Sequence, residues 1–311
     1  MFIVRLLLFS FCLILLFQKS GGQELNKNQS FLNVDSIPEK AYLRYGFYDL
    51  SGKLTGYAHH VWVKEKENEK NYLKIYENIF CYSSYAKDKK SHAFLPEKLE
   101  GFQTFAIIDL EKSQVIEERG VYSNSREKIG RGQYMYISDR LDISNSFFET
   151  EYGMWNGYEM KIFKGRTKVD LSLPVLNYTA LSMRFPVGFT DFSGKRKFQF
   201  AFPEYFKESV IGSFKIIKEE KINTVLGEFD TIKLGTDVHD FLLRLMAGRW
   251  AREFCIYWID KNTKMVVKIN KNNSEYLILD AYEEFTNWSD VAEKLNKEWV
   301  EQVCFKKLGV D

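Results

Sequence analysis

The sequence predicts a mainly β protein, built as one antiparallel β-rich domain with a short internal helix and a C-terminal amphipathic helix. Apolar and polar residues alternate with a period of two through most of residues 41–285. Short clusters of Gly, Asn, Asp and Ser separate these runs, as turns separate strands. Aromatic residues make up 16% of the chain, including 26 Phe and 18 Tyr, and supply the large apolar surface that a single core needs.

The clearest strand signals lie in the first half of the chain. Two strands separated by a turn at Ser51-Gly52 predict a hairpin from Ala41 to Lys64. A third strand, Tyr72 to Tyr82, carries large apolar groups on both faces, so we expect it to be covered on both sides or to line a groove. Asn156-Gly157 lies between two alternating runs and predicts a type I′ hairpin turn.

Two segments show helical spacing instead. Apolar residues recur at intervals of three and four from Val175 to Phe185, between two prolines, and predict the internal helix. At the end of the chain, Asn287 can cap a helix over residues 288–308, whose apolar stripe comprises Trp288, Val291, Leu295, Trp299 and Val303. The run 241–247 is compatible with either a helix or a buried strand.

The N-terminus has the pattern of a secretory signal peptide. Arg5 precedes the largely apolar run Leu6 to Phe17, and small residues end at Gly22. A helix of that length spans about 18 Å, which is short of the roughly 30 Å of a bilayer core. We expect the segment to be cleaved, and an uncleaved N-terminal anchor is the alternative. We therefore predict a signal peptide over 1–22, a disordered leader over 23–40 and one domain over 41–311, without a transmembrane span after cleavage.

Charge and cysteine content exclude several classes of protein. Cleavage removes Arg5 and Lys19 and leaves 42 basic residues against 42 acidic ones, so the mature chain lacks the overall basic character of nucleic-acid-binding proteins. Three cysteines remain, Cys81, Cys255 and Cys304, and an odd number excludes a scaffold held by disulfides alone. A single bridge between Cys255 and Cys304 is an open alternative.

No motif in the chain predicts a metal site or a nucleophile. His59 and His60 are adjacent on a predicted strand and must face opposite sides, so we expect hydrogen-bonded histidines at the surface or half-buried rather than ligands of one ion. Carboxylate pairs such as Glu117-Glu118 and Glu283-Glu284 have charged neighbours and are interpreted as parts of solvated faces. We expect no cofactor and no catalytic residue.

Three blocks resemble the exported bacterial family known as domain of unknown function 3108. They are the run Thr224 to Lys233 with its Gly-x-Phe-Asp pattern, the pair of runs Ile256–Lys261 and Met265–Ile269, and Arg184 followed by residues 185–188. The resemblance implies a strongly curved, incompletely closed β-barrel like that of periplasmic lipoprotein carriers, with a helix against its concave face. It implies no reaction.

These observations lead to three hypotheses about function. The first is a periplasmic or secreted carrier in the cell envelope, with a groove for an apolar small molecule or lipid near Trp62, Tyr76, Phe80, Tyr257 and Trp258, chosen because each lies on a strand with a large apolar face. The second is a cofactor-free enzyme, and the third is an envelope scaffold that recruits partners along a strand edge. The sequence does not predict an oligomeric state.

Overall fold

The computed structural model describes residues 34–82, 99–124, 133–155, 159–177, 196–203, 206–240, 255–271 and 275–287. These ranges contain a 3-10 helix, Val34–Ser36, and fifteen strands. The strands are β1 (Lys40–Asp49), β2 (Leu54–Glu67), β3 (Lys70–Tyr82), β4 (Leu99–Asp109), β5 (Gln114–Asn124), β6 (Gln133–Asp142), β7 (Phe147–Trp155), β8 (Met160–Lys168), β9 (Val175–Leu176), β10 (Arg196–Phe200), β11 (Val210–Thr224), β12 (Gly227–Val238), β13 (Cys255–Asp260), β14 (Val266–Lys271) and β15 (Glu275–Glu284).

All fifteen strands belong to one sheet, so the prediction of a mainly β protein is confirmed. The order across the sheet is β8-β7-β6-β5-β4-β3-β2-β1-β15-β14-β13-β12-β11-β10-β9. Each strand pairs with its neighbour in sequence, except where β1 meets β15 in the middle of the sheet. The pairing is antiparallel throughout, apart from the parallel pair β9 and β10. The fold is therefore two meanders joined through β1 and β15.

The sheet curls back on itself without closing into a barrel. Fourteen strand spacings of about 4.8 Å would place the edges of a flat sheet roughly 67 Å apart. Instead, Lys168 at the end of β8 forms a bridge with Glu208, and the Thr167 hydroxyl donates to the Phe206 carbonyl at 2.7 Å. Strong curvature thus brings the β10–β11 connection against β8, while the strand ladder itself remains open.

Local sequence explains two of the tight turns. Asn68 and Glu69 have φ of 48° and 65°, the conformation of a two-residue turn whose twist suits an antiparallel hairpin, and they join β2 to β3. In the block Thr224 to Lys233, the turn is Val225-Leu226, and Gly227 opens β12 at a φ of 123°. A left-handed φ of this kind favours glycine over residues with a Cβ atom.

One face of the sheet, the core face, carries the main apolar core. The core draws on β1 to β4 and on β10 to β15, with Leu43, Tyr45, Trp62, Ile75, Phe198, Phe214, Tyr257 and Leu277 among its buried members. A second cluster joins the two ends of the sheet, because Val115, Leu141 and Phe148 pack with Val175 and Ala201. Burial of these side chains on one face stabilises the curvature of the sheet.

Several predicted segments differ from the structure or lie outside it. The predicted internal helix is wrong at its start, because Val175–Leu176 form β9, where the amides of Gln199 and Ala201 donate to the carbonyls of Pro174 and Leu176. Five further predictions lie outside the described residues. They are the rest of that helix, the ambiguous run 241–247, the Asn156-Gly157 turn, the C-terminal helix 288–308 and the signal peptide 1–22. Among the residues that are described, no helix has the length and apolar character needed to span a bilayer.

The described part of the predicted leader is ordered, and one cysteine can be placed in the fold. Val34–Ser36 form the 3-10 helix, and Ile37 is buried in the core. Cys255 lies buried on β13, and the alternative bridge to Cys304 stays a prediction. Cys304 itself is outside the described ranges.

Candidate functional site

Strand register aligns seven residues into one row across the core face, which we call the register row. It consists of His60, Glu77, Thr104, Gly120, Ile137, Tyr152 and Phe163, each directly opposite the next on β2 to β8. Directly opposed residues of neighbouring strands share a face. The row is polar and buried at the β2 end and aromatic at the β8 end.

The polar end of the register row contains a buried histidine and a buried carboxylate. His60 Nδ1 lies 3.0 Å from Glu77 Oε1, and both side chains are at most 1% exposed. The Thr104 hydroxyl donates to Glu77 Oε2 at 2.5 Å, and the Tyr45 ring meets the His60 ring edge-on at 5.2 Å. Buried ionisable groups are unfavourable unless they are paired, so their presence in an apolar core marks this end as a candidate functional or structural site.

A second polar group lies on the neighbouring row of the core face. Glu118 and Asp139 are directly opposite each other on β5 and β6, and both are buried. The Asn177 amide donates to Glu118 Oε2 at 2.5 Å and to Asp139 Oδ2 at 2.8 Å, while the Thr150 hydroxyl donates to Asp139. Because Asn177 directly follows β9, these bonds also join the two ends of the sheet.

The burial of Glu118 corrects the interpretation of the Glu117-Glu118 pair as a solvated face. Glu117 is partly exposed beside Arg119, but Glu118 alternates onto the core face and is fully buried. Both residues of the Glu283-Glu284 pair are exposed, as predicted.

The two adjacent histidines face opposite sides, as predicted, but the expectation that they lie at the surface or half-buried is wrong because both are buried. His59 lies on the face opposite the core face, where Tyr42 Oη and His59 Nδ1 are 2.8 Å apart. Burial, together with the nearby Arg44 and His60, lowers the pKa of His59 to about 4. Within the described ranges, no three His, Cys, Asp or Glu side chains are grouped so as to hold a metal ion.

The aromatic end of the register row exposes apolar surface. Tyr152 and Phe163 stack with ring centroids 5.1 Å apart and an interplanar angle of 12°. Phe163 is 39% exposed, although Phe148, four residues before Tyr152 on the same face, is fully buried. The core face therefore continues from a packed interior to an accessible aromatic strip, Ile137–Tyr152–Phe163, at the edge of the sheet.

The reverse face of the same strands is charged. A cleft of about 470 Å³ is lined by Ser138, Arg140, Glu149, Thr150, Glu151, Lys164, Gly165 and Arg166. Lys164 pairs with Glu151 at 2.6 Å, and the Tyr136 hydroxyl donates to Glu151 at 2.9 Å. Partial burial and this bond raise the pKa of Tyr136 to about 12. Apolar and charged surfaces thus lie on opposite sides of β6 to β8.

The five predicted groove residues are divided between the two faces. Trp62 and Tyr257 lie on the core face and are buried, and the large burial of Tyr257 raises its pKa. Tyr76 lies on the opposite face, 37% exposed, with its ring 4.9 Å from that of Phe105. Phe80 belongs to β3, but its side chain is outside the described part of the chain.

The fifth residue, Trp258, also lies on the opposite face and has charged neighbours. The ammonium groups of Lys233 and Lys268 lie 4.6 and 4.9 Å from the ring centroid, and the indole N–H donates to Glu220 at 2.6 Å. Burial and the neighbouring Lys233 lower the pKa of Lys268, while Glu220 opposes the shift. The structure therefore brings Trp62 and Tyr257 to one face and places Trp258 and Tyr76 on the other.

Comparison with known proteins adds little to this picture. No family model matches the chain, and no curated protein matches it. One similar solved structure is that of a "putative lipoprotein" from Parabacteroides distasonis, which is 13% identical and covers 83% of this chain and 100% of its own, with a TM-score of 0.25. A superposition at that TM-score carries no argument about fold or function, so the resemblance to domain of unknown function 3108 stays a prediction.

Proposed function

We propose that the protein is an exported, non-catalytic carrier that binds an apolar or lipid-like ligand at the aromatic strip Ile137–Tyr152–Phe163. The observation that carries this proposal is that Phe163 is exposed on the same face as the core, where its ring stacks on that of Tyr152. Export rests on the signal pattern of residues 1–22. Trp62 and Tyr257 lie on the same face but are buried in the core, so their part in lining or neighbouring the ligand groove stays a prediction.

The physical reason is the area that a ligand would remove from water. Burial of apolar surface contributes about 25 cal/mol per Å², and planar rings present much of that surface in a fixed orientation. The strip crosses three neighbouring strands, so an alkyl chain that lies along it contacts Ile137, Tyr152 and Phe163 in turn. Asp139 and Thr150 lie one row away and give the strip a polar border.

A fluorescent fatty acid tests this assignment. We expect cis-parinaric acid to bind the mature protein and Phe163→Ser to weaken binding about tenfold, because loss of one aromatic contact costs about 1.4 kcal/mol. Val225→Ser is the matched control, since Val225 is an exposed apolar residue in the β11–β12 turn. Equal affinities of all three proteins would contradict the proposal.

The export part of the proposal has its own test. Cell fractionation and N-terminal sequencing of the full chain should find the protein outside the cytoplasm, beginning near residue 23. A chain retained in the cytoplasm with residues 1–22 intact would contradict export, whatever the result with the fatty acid.

The charged cleft favours a cofactor-free enzyme as the second candidate. Arg140, Glu149 and Arg166 lie directly opposite one another on β6, β7 and β8, so cationic and anionic groups converge at one place. Groups held in this way could orient a polar substrate. Turnover of ester, phosphate-ester or glycoside substrates that Glu149→Gln abolishes would support this candidate, and equal background rates in both proteins would oppose it.

A further inference from the structure

Strand β8 ends one side of the sheet with little cover. Seven of its nine residues are exposed, and no described strand pairs with its outer side. Unpaired edge strands present backbone donors and acceptors to any extended chain that approaches, and proteins normally cover or shorten such edges. Lysine side chains protect an edge against other sheets, but β8 is nine residues long and also exposes Met160, Ile162 and Phe163, so a chain of opposite charge can pair with it.

The outward-facing backbone groups of β8 can be identified. The Lys168 amide donates to the Lys207 carbonyl at 2.8 Å, and the Lys168 carbonyl accepts from the Ser209 amide at 3.0 Å. Backbone direction alternates along an antiparallel strand, so Arg166, Lys164 and Ile162 also direct their N–H and C=O groups away from β7. Glu208 forms an isolated bridge with Lys168, Phe206 accepts from Thr167 and Pro203 lies against Gly165, so the end of β8 near Lys168 is covered.

The side chains of β8 define the chemistry of its partner. The strand carries Lys161, Lys164, Arg166 and Lys168 and no acidic residue. Pairing with β8 of a second copy would bring cations opposite cations, which is destabilising across a pair of strands. Lys164 already pairs with Glu151 on β7 at 2.6 Å. A carboxylate of an added peptide on the other side of Lys164 would continue this alternation of negative and positive charge across the strands. The occupant favoured by charge is an acidic chain.

We propose that the edge of β8 from Met160 to Arg166 binds an extended, acidic peptide segment of a partner protein by strand addition. Backbone groups of the peptide pair with those of Ile162, Lys164 and Arg166. Apolar residues of the peptide lie beside Met160 and Ile162, and Asp or Glu residues lie beside Lys164 and Arg166. Phe163 of the aromatic strip lies on the same strand, between the proposed backbone partners Ile162 and Lys164.

A synthetic peptide Glu-Thr-Glu-Thr-Val-Thr-Val, blocked at both ends and called the Val–Glu peptide, is the probe, because its Val and Glu side chains all lie on one face of a strand, as do Met160, Ile162, Lys164 and Arg166. The same sequence with Lys in place of Glu, called the Val–Lys peptide, is the matched control. Binding to the mature protein is measured by calorimetry. We expect the Val–Glu peptide to bind more tightly, and Ile162→Pro to weaken it about tenfold, because proline removes one outward donor and blocks close approach. That N–H faces away from β7, so the variant should fold, which circular dichroism checks.

Two charge variants complete the experiment. Lys164→Glu should weaken binding of the Val–Glu peptide and strengthen binding of the Val–Lys peptide. Lys53→Glu, a reversal at an exposed residue between β1 and β2, should change neither. Absence of binding, equal affinity for both peptides, or insensitivity to Ile162→Pro would overturn the proposal. Self-association in sedimentation that Ile162→Pro abolishes would also overturn it, because the occupant would then be a second copy.

Discussion

His60 and Glu77 face each other across β2 and β3, with Nδ1 and Oε1 3.0 Å apart and both side chains closed off from solvent. Burial of polar groups costs free energy unless they are paired, and the contact between the two side chains offsets this cost only while both partners are present. The pair is therefore an interdependent unit within the core.

Removal of Glu77 should destabilise the fold more than removal of an exposed carboxylate. Glu77→Leu deprives His60 of its partner and the Thr104 hydroxyl of its acceptor, and we expect a loss of about 3 kcal/mol in the free energy of unfolding. Urea denaturation measures it. Glu228→Leu is the control, because water screens the exposed pair of Glu228 with Lys221 and the pair contributes little to stability. Equal losses would show that the buried pair is not an interdependent unit.

Asn177→Asp should make stability depend on pH in an unusual direction. The change places a third carboxylate against Glu118 and Asp139, and repulsion raises the pKa of the introduced carboxyl group above its value in the unfolded chain. The free energy of unfolding of the variant is then highest at low pH and falls as pH rises. Denaturation between about pH 5 and about pH 8 measures it. Asn223→Asp, at an exposed site on β11, should show no such trend, and a flat profile for Asn177→Asp would contradict the buried cluster.

His59 should remain neutral far below the usual range of histidine. Its pKa is lowered from 6.5 to about 4, so the unfolded chain binds this proton more tightly than the folded protein. The associated stability is therefore complete above about pH 6.5 and is lost as pH falls towards 4. Proton NMR of the imidazole follows the titration directly, and His59→Gln should flatten the pH dependence of stability over this range. A midpoint near 6.5 would show that His59 is solvated.

The contact between the two ends of the sheet can be tested through Gly165. A Cβ atom there would lie 2.5 Å from the Pro203 carbonyl oxygen, whereas at Gly235 it would first meet the flexible end of Ile217 at 2.9 Å. We expect Gly165→Ala to cost about 1–3 kcal/mol through forced displacement of backbone. Gly235→Ala should cost less, because the Ile217 side chain can move aside. Similar thermal unfolding of the two variants would contradict the contact between β8 and the β10–β11 connection.

Strands were predictable from the sequence because one face of the sheet is buried. Period-two alternation located the runs that became β1, β2 and β3, and the turn at Ser51-Gly52 followed from residue type. The segment after Pro174 was mispredicted because three- and four-residue spacing also occurs by chance in a short run. Parallel pairing with β10, a contact between distant parts of the chain, decides the conformation of Val175–Leu176.

The candidate site was only partly predictable. Glu77 stands in an alternating series with Leu73, Ile75 and Ile79, so its core-face position was readable, but its histidine partner depends on the register of β2 and β3. Glu118 was taken as solvated because its neighbours in sequence are charged. Its burial arises from alternation across the strand and from Asn177, which lies 59 residues away in the chain. Register and chain curvature are long-range properties that no local pattern specifies.

Organic extraction of mature protein purified from its native host, followed by mass spectrometry, tests the carrier function most directly. We expect to find a lipid or other apolar molecule in near-stoichiometric amount. The bound amount should be strongly reduced in Phe163→Ser and retained in Val225→Ser. Protein that emerges without any bound apolar molecule, or with the same amount in all three proteins, would contradict it.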